Sequence, residues 1–520
     1  MPDQLQAGER YTGNAGLKQR LGLNAPDPAV ISIVGARDKK QIIEPIRTID
    51  RYRNSHDYGD SAVMDLKFAL RYEPVDLCIL RLAFEKIDKN DLTAWINGEP
   101  NGAYARRAWF FYEWLTGDLL DLPDVPIGKY VPALDAETHI VLPQGLRSKR
   151  HRVIDNLLGA PALCPMVRKT RKIADLQASG IQAEAANFIQ NCDPQTLARA
   201  IQYLHTKETK GTFELEKETA SGSKAERFID ALRSVRDFDP GSEAEQTRLQ
   251  NIIVDPRYAA KGWRDFQNYV GETTYHHQYD TVHFICPKPE DVRPLMDGFA
   301  KLAERLRGGG VDPVLAAAVV AFAFVFIHPF DDGNGRIHRY LIHHVLSEAG
   351  FTPPGVVFPV SAAMVRTWDA YDLALERFSR PVMRHIEWVW RDGADGPQVA
   401  VSNRTDHLYR YFDATPQAEY LYEQVIDAVR RDLKEEIGFI TAFDRAYRAV
   451  TERIDLPNRK AGLLVKLAMQ NGRIGQDKRE KHFPELTAAE LDELETLVRE
   501  AVDAQPPPAP SGLGDGATVG

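Results

Sequence analysis

The sequence predicts a mainly helical protein built from several domains. Its 520 residues are more than one hydrophobic core usually holds. Apolar residues recur at helical spacing in residues 104–120 and 152–158, and residues 315–327 form an unbroken apolar run. A transmembrane helix needs about 20 such residues, so this run predicts a buried core helix and no membrane segment.

Composition narrows the class of protein further. Hydrophobic residues make up 43% and charged residues 27%, which excludes a largely disordered or membrane-embedded chain. The net charge of −9 weighs against bulk electrostatic binding of nucleic acid. The N-terminus has no apolar stretch after a basic start, so the cytoplasm is the expected location. The four cysteines contain no C-x-x-C pair, which argues against a disulfide framework or a zinc site.

The chain is predicted to divide into five parts. Residues 1–205 read as a helical N-terminal region, and residues 206–249 as a short segment that ends in a further helix. In that segment Ser223 and Glu226 form a capping-box pattern, which predicts a helix to about residue 235. A central domain spans residues 250–385. A C-terminal domain follows at 390–503, and residues 504–520 are a Pro- and Gly-rich tail expected to be disordered.

The central domain has its own local patterns. Alternation of apolar and polar residues at 281–284 predicts a strand or hairpin within residues 269–287. A helix is expected from Glu290 to the glycines at 308–310. Asp312 followed by Pro313 then predicts an N-cap and a first helical turn, which starts the apolar helix.

Residues 328–339 read HPFDDGNGRIHR and carry the clearest chemical pattern. Pro329 disfavours helical geometry at His328, so the buried helix is predicted to end there. Gly333 and Gly335 remove side chains where the next helix begins, which lets a ligand reach backbone N–H groups that have no partner within the helix. These features predict an anion site at a helix N-terminus, where phosphate is the usual ligand.

The charged residues of this stretch extend the hypothesis. Arg336 and Arg339 share one face of the first turn, where the helix dipole repels them, so a bound polyphosphate would compensate the cost. Asp332 supplies an oxygen ligand for Mg²⁺. His328 is the candidate general base, because histidine titrates near neutral pH. The spacing of His338, His343 and His344 instead favours packing or surface roles.

Residues 328–339 resemble the signature of the Fic (Fido) family, H-x-F-x-[D/E]-G-N-G-R-x-x-R, with every defining position filled. The resemblance implies a Fic-type helical core with a short β-hairpin flap, flanked by the helical N-terminal region and C-terminal domain. It also implies transfer of AMP from Mg·ATP to a Tyr, Thr or Ser hydroxyl of a target protein. In that interpretation Phe330 anchors the loop, Gly333, Asn334 and Gly335 hold the α- and β-phosphates, and the two arginines hold the β- and γ-phosphates.

The same resemblance assigns roles outside the signature. The flap is expected to bind the target segment by strand addition, through Tyr279, Thr281, Val282, His283 and Phe284. The string TFELEK at 212–217 resembles the autoinhibitory motif [S/T]-x-x-x-E-[G/N] of the family, in which Thr212 and Glu216 match and Lys217 departs. Glu216 would then pair with Arg339 and keep it from the γ-phosphate. The alternative is a solvated face of Glu214, Glu216 and Glu218.

Alternative functions stay open at this stage. One is removal of AMP from modified proteins, with Glu216 positioning a water molecule. Another is a DNA-binding regulator, in which residues 390–503 form a winged-helix-like module that contacts phosphates. Its candidate basic residues lie at 458–460, 471–474 and 478–481. A helical partner-binding or dimerising domain is favoured for this region, because Asp432, Glu435 and Glu436 interrupt it.

The expected partners follow from the leading interpretation. They are Mg²⁺ and ATP, a target protein with an acceptor hydroxyl, the chain itself as a target, and a second copy in a homodimer. Nucleic acid is not favoured, and no membrane is expected.

Overall fold

The computed structural model describes residues 5–36, 40–43, 47–219, 222–272, 279–308, 310–393 and 396–504. The chain forms two compact units: Met1–Asn187 with His205–Val429, and Phe188–Leu204 with Arg430–Gly520. Helices dominate both, which confirms the mainly α fold class. The predicted disordered tail lies outside the described residues from 505 onward.

The first unit contains most of the helices of the chain. The helices before residue 254 are Gly13–Leu21, Ala62–Tyr72, Leu77–Lys86, Lys89–Gly98, Ala103–Thr116, Arg171–Gln177, Ile181–Gln190, Pro194–Glu214, Gly222–Arg233 and Glu243–Ile253. Two of them, Ile181–Gln190 and Pro194–Glu214, are divided between the two units. Those that follow are Pro289–Leu306, Pro313–Ile327, Asn334–Glu348, Val360–Arg366, Trp368–Met383, Asp406–Arg410 and Thr415–Asp427. Single 3-10 turns occur at Asn54–His56, Val235–Asp237 and Pro256–Tyr258, and a π-helical turn at Ala428–Leu433.

The N-terminal region contains two sheets that the sequence did not predict. Four strands lie in the order Arg10–Thr12, Val30–Ala36, Thr48–Arg53 and Lys40–Ile43, with a parallel pair at the centre. A second sheet has the order Val131–Pro132, Val153–Asp155 and Leu146–Ser148. The helix expected at 152–158 is therefore wrong. A three-residue strand is too short to show a period of its own, and one of its two partners, Val131–Pro132, lies well before it in the sequence.

The helix Pro313–Ile327 forms the centre of the first unit, as its apolar composition predicts. Asp312 caps it, because its Oδ1 atom accepts from the N–H groups of Val314 at 2.9 Å and Leu315 at 3.2 Å. Nearly every residue of the helix is buried. Pro289–Leu306, Asn334–Glu348 and Thr415–Asp427 pack around it. This buried helix holds the start of the 328–339 loop in place.

Two hairpins lie beside this helical core. The flap pairs Tyr269–Glu272 antiparallel with Thr281–Ile285, with a bulge between Val270 and Gly271, which confirms the predicted hairpin. The second hairpin pairs Trp388–Gly393 with Gly396–Val401. A helix was expected from about residue 390, and that expectation is wrong. The strand alternates inward Trp388 and Trp390 with exposed Val389, a period of two that fits a strand.

The second unit is helical throughout the part that is described. Beyond residue 433 its helices are Lys434–Arg453, Asn458–Asn471, Gln476–His482 and Ala488–Asp503. Thr487 and Glu490 form a capping box at the start of the last of these helices, with both reciprocal bonds present. A core that includes Leu464, Leu491 and Phe483 joins these helices. Within 430–504 no strand is seen, so the fold matches the helical alternative better than a winged helix.

No helix among the residues with described coordinates has both the length and the hydrophobicity needed to cross a bilayer.

Candidate functional site

His328 ends the buried helix in a left-handed conformation, with φ 54° and ψ 59°. A non-glycine residue in this region stores about 1–2 kcal/mol of strain, which folded proteins tolerate mainly at functional positions. Its Nδ1 atom lies 3.2 Å from the carbonyl oxygen of Val325. That contact favours the tautomer with hydrogen on Nδ1, so Nε2 keeps a lone pair. Burial lowers the pKa of His328 to about 4, so the ring is neutral at physiological pH.

The loop after His328 is fixed by two side chains of the signature. Phe330 is fully buried and packs near Phe324. The Asn334 side chain accepts from the Phe330 N–H at 3.0 Å and donates to the Phe330 carbonyl at 2.9 Å. The Asn334 amide is thus used to shape the loop. Any phosphate contact of this residue would come from its backbone N–H group.

Arg264 holds the loop from the opposite side, and the sequence analysis missed it. Its side chain is 5% exposed. The guanidinium donates to the carbonyl oxygens of His328 at 2.8 Å, Phe266 at 2.7 Å and Pro287 at 2.8 Å. Its own N–H also donates to the Pro329 carbonyl at 2.8 Å. Arg264 therefore ties the loop to the base of the flap. Apart from Phe266, its acceptors are backbone atoms remote in sequence, so no local pattern identifies it.

The helix Asn334–Glu348 begins directly under this loop. Gly333 has φ 92°, and a Cβ there would lie 3.0 Å from Val254 Cγ1, so glycine is required on both grounds. The N–H groups of the first turn have no acceptor within the helix, so they are available to an anion, as the sequence analysis predicts. A Cβ on Gly335 would lie 2.2 Å from Glu216 Oε1. A glutamate carboxylate thus occupies the space beside the glycines.

Arg336 is 2% exposed and is surrounded by acceptors. It donates to the Ile253 carbonyl at 3.1 Å, to Asp332 Oδ1 at 2.9 Å and to Glu218 Oε2 at 3.2 Å. Its guanidinium also lies 5.6 Å from the centre of the Phe213 ring. Among the described residues, its buried Nε atom has no acceptor. A buried donor without a partner fits a position that a ligand oxygen could reach.

Arg339 is 1% exposed and meets both residues of the predicted inhibitory pair. Its Nε donates to Thr212 Oγ1 at 2.6 Å, and its Nη2 donates to the Thr212 carbonyl at 2.9 Å and to Glu216 Oε1 at 2.5 Å. Burial alone would lower the pKa of Arg339, but the Glu216 carboxylate keeps it raised. The hydroxyl of Tyr371 lies 3.5 Å from Nη1.

Asp332 is the candidate Mg²⁺ ligand, and its side chain is half exposed. Its Oδ1 atom accepts from the Gly333 N–H at 2.6 Å and from Arg336. In the part of the chain with coordinates, no cluster of three His, Cys, Asp or Glu side chains could hold a metal by itself. One carboxylate next to a phosphate site still fits Mg²⁺, which usually takes its remaining ligands from phosphates and water.

The predicted flap residues do not share one environment. Tyr279 stacks on Trp390 with ring centres 5.2 Å apart, while Phe284 is buried against Phe326 and Phe378. Thr281 and His283 are exposed, and Val282 is half-buried. The residues at 273–278, where the two strands connect, lie outside the described part of the chain.

The remaining candidate residues have structural partners. His338, His343 and His344 are buried, in agreement with packing roles: Nδ1 of His338 contacts the Ala321 carbonyl at 2.8 Å, and Nε2 of His343 lies 2.8 Å from Glu208. In the second unit three of the predicted basic side chains pair with acidic ones or lie near them. Lys460 pairs with Glu485, Arg479 with Asp492 and Glu495, and Arg473 lies near the same two carboxylates. These pairs weaken the case for phosphate contacts there.

Comparison with known proteins identifies the central region. A sequence model of the Fic/DOC family matches residues 242–346, which include the whole 328–339 stretch and most of the helix Asn334–Glu348. Residues 242–346 form a Fic domain. Proteins named Protein adenylyltransferase Fic from Drosophila melanogaster and Drosophila ananassae are 35% identical over 102 residues, which is 20% of this chain and 20% of each relative. The chain thus spans about a fifth of the length of the curated relatives it matches.

Solved structures with Fic domains are more distant. A Fic family protein from Desulfovibrio desulfuricans G20 is 18% identical with a TM-score of 0.35, and covers 62% of this chain and 84% of its own. Fic-1 from C. elegans is 16% identical with a TM-score of 0.29, and covers 62% and 95%.

Proposed function

We propose that this chain is a protein adenylyltransferase, which transfers AMP from Mg·ATP to a hydroxyl of a target protein or of itself. The observation that carries the proposal is the geometry of residues 328–339, which we call the Fic loop and which include the first residues of the helix Asn334–Glu348. A neutral His328 with a free Nε2 lies at the mouth of a helix N-terminus that presents two buried arginines. The Drosophila relatives named Protein adenylyltransferase Fic match the region that contains this loop.

Each residue of the loop would serve one part of the reaction. The target hydroxyl oxygen forms a bond to the α-phosphorus, the bond from that phosphorus to the bridging oxygen breaks, and pyrophosphate leaves. The hydroxyl proton passes to His328 Nε2. Arg336, Arg339 and the free N–H groups of the first turn neutralise the phosphate oxygens. Asp332 would hold Mg²⁺, which supplies further charge neutralisation when bound.

The pair formed by Glu216 and Arg339 supports autoinhibition. Its 2.5 Å contact, together with the bonds from Arg339 to Thr212, uses the guanidinium donors that a γ-phosphate would need. The carboxylate also occupies the space next to Gly335. ATP therefore competes with Glu216, and the wild-type chain is expected to transfer AMP slowly.

The flap is the proposed binding surface for the target. Its exposed strand residues Thr281 and His283 leave backbone groups of an edge strand available to a target segment in extended conformation. The buried Phe284 holds the same strand on the core. The acceptor hydroxyl would thus be presented towards the loop that carries His328.

Label transfer from ATP tests the proposed function. Wild type, Glu216→Gly and His328→Ala are incubated with Mg·ATP labelled at the α-phosphate, alone and with cell lysate. Label on protein should rise in Glu216→Gly, and its transfer should fall at least 100-fold when His328→Ala is added, the lower range for loss of a general base. ATP labelled at the γ-phosphate serves as control, because it should leave no label on the target.

The outcomes separate the alternatives. No α-label on any protein, under conditions where ATP binding is measurable, would refute AMP transfer. Release of AMP from a modified target without ATP, dependent on Glu216, would assign the chain to AMP removal instead. Binding of DNA by the full chain with unchanged function in His328→Ala would support a regulator.

A further inference from the structure

Both arginines of the Fic loop are paired with glutamates from a single turn of chain. Arg339 contacts Glu216, and Arg336 contacts Glu218 Oε2 at 3.2 Å. The arginines are almost completely buried, whereas the glutamate side chains are 34% and 37% exposed. The second pair lies outside the motif that predicts the first, and sequence analysis treated Glu218 only as part of a solvated face.

The turn that carries both carboxylates is a regular helix ending. We call residues 213–218 the glutamate turn. The N–H of Lys217 donates to the Glu214 carbonyl at 2.8 Å and the N–H of Glu218 donates to the Phe213 carbonyl at 3.0 Å. These are the two bonds of a Schellman ending, and Lys217 between the glutamates has the left-handed φ of 56° that it requires. One backbone conformation therefore positions both carboxylates.

The glutamates are the exchangeable partners of the two arginines. The Ile253 carbonyl that accepts from Arg336 belongs to another helix and does not depend on the turn, whereas Thr212 directly precedes the turn and shares Arg339 with Glu216. Loss of Glu218 would leave a buried cation partly uncompensated, and a phosphate oxygen is the anion that replaces a carboxylate with similar geometry. Asp332 also contacts Arg336, so Glu218 contributes one of two negative charges there.

We propose that Glu218 is a second gate on the nucleotide site, acting on Arg336 as Glu216 acts on Arg339, and that both gates open together when the glutamate turn unwinds. This inference rests on the proposed function, because it assumes that the arginines bind phosphates of ATP. The proposal adds Glu218 as a regulatory residue. It also implies that nucleotide access depends on whether the glutamate turn is formed.

Nucleotide binding tests this gate without requiring AMP transfer. Dissociation constants of Mg·ATP, Mg·ADP and AMP are measured by calorimetry on the full chain carrying His328→Ala, which prevents turnover. Glu218→Gln is compared with Glu216→Gln, with the double variant and with Glu214→Gln. Glu214 is the matched control, because it is exposed on the same turn, carries the same charge and forms no bond with either arginine among the described residues. Thermal melting confirms that every variant is folded.

The gate predicts a specific pattern. Glu218→Gln should tighten ATP and ADP binding about fivefold or more and leave AMP binding unchanged, since AMP reaches neither arginine. Glu216→Gln should also tighten ADP, because opening the shared turn frees both arginines together. Glu214→Gln should match the parent.

Three results would overturn the proposal. A Glu218→Gln chain that binds ATP like the parent, while Glu216→Gln binds more tightly, refutes the second gate alone. Equal tightening in Glu214→Gln shows a general effect of charge and removes the specific pair. If no variant binds ATP, the nucleotide site fails, and the gate fails with the proposed function.

Discussion

Lys217→Gly should close the glutamate turn more firmly and inhibit the protein further. Lys217 occupies the left-handed position of the helix ending, with φ 56°. The left-handed conformation costs a residue with a Cβ roughly 1–2 kcal/mol of steric strain. Ordering a glycine instead costs about 0.5–1 kcal/mol of additional backbone entropy. The net gain for the closed turn is about 0.5–1 kcal/mol. At 1.4 kcal/mol per factor of ten, this shifts the closed-to-open ratio about two- to fivefold.

The measurement is the apparent dissociation constant of Mg·ATP, together with the rate of α-label transfer. Both should worsen by that factor in Lys217→Gly. Lys217→Ala is the matched control, because it removes the same charge and keeps the Cβ. The contact between Lys217 and Glu272 is lost in both, and at 3.5 Å on the exposed surface it contributes little.

Two results would refute this reasoning. If Lys217→Ala and Lys217→Gly weaken ATP binding equally, the lysine charge is responsible and the backbone is not. If Lys217→Gly still weakens ATP binding in a chain that already carries Glu216→Gln and Glu218→Gln, the effect does not pass through the glutamates.

Three further predictions concern the loop and the flap. Gly335→Ala should lower the free energy of unfolding by about 1 kcal/mol more in wild type than in Glu216→Gly, because the new Cβ displaces the flexible Glu216 carboxylate from Arg339; equal losses in both backgrounds would contradict the clash. In Glu216→Gly, kcat/KM for transfer should stay level from pH 8 to pH 6, because burial holds the pKa of His328 near 4. The neutral base is present above that pH and is lost as the pH falls through it. A decline of kcat/KM centred near pH 6.5 would contradict a buried His328 base. Trp390→Ala removes the stacking on Tyr279, which is worth about 1 kcal/mol. Labelling of lysate targets should weaken, while the ATP affinity measured by calorimetry stays constant. A parallel loss of ATP affinity would show that Trp390 has a wider structural role.

Features that depend on neighbouring residues were predictable from the sequence. The N-cap at Asp312 is local and is present as expected, and a helix is found where the Ser223 pattern predicts one, although it already includes Gly222. The 328–339 loop is also local: Pro329 marks the helix end, and the two glycines mark the next start. The left-handed φ of Lys217 explains why the motif has Gly or Asn at this position, because these residues adopt positive φ most easily; Lys217 adopts the same conformation at a cost.

Features that depend on remote partners were not predictable. The short strand Val153–Asp155 lies between the local strand Leu146–Ser148 and the more remote Val131–Pro132, so its own composition does not reveal it. The hairpin from Trp388 to Val401 packs its inward tryptophan against Tyr269 and Tyr279 of the flap. Glu218 became a candidate only when folding brought it to Arg336, which is far away in sequence.

The two sides of the Fic loop are stabilised by different chemistry, and this difference supports the proposal that the site is preformed but closed. Behind the loop, Arg264 and Asn334 bond to backbone carbonyls, which no nucleotide can replace. In front of it, Arg336 and Arg339 bond to carboxylates, for which phosphate oxygens are direct substitutes. Binding of ATP would therefore exchange one set of anions for another without rebuilding the loop. The cost of opening is concentrated in the glutamate turn, so changes in that turn should alter nucleotide affinity and leave the loop geometry intact.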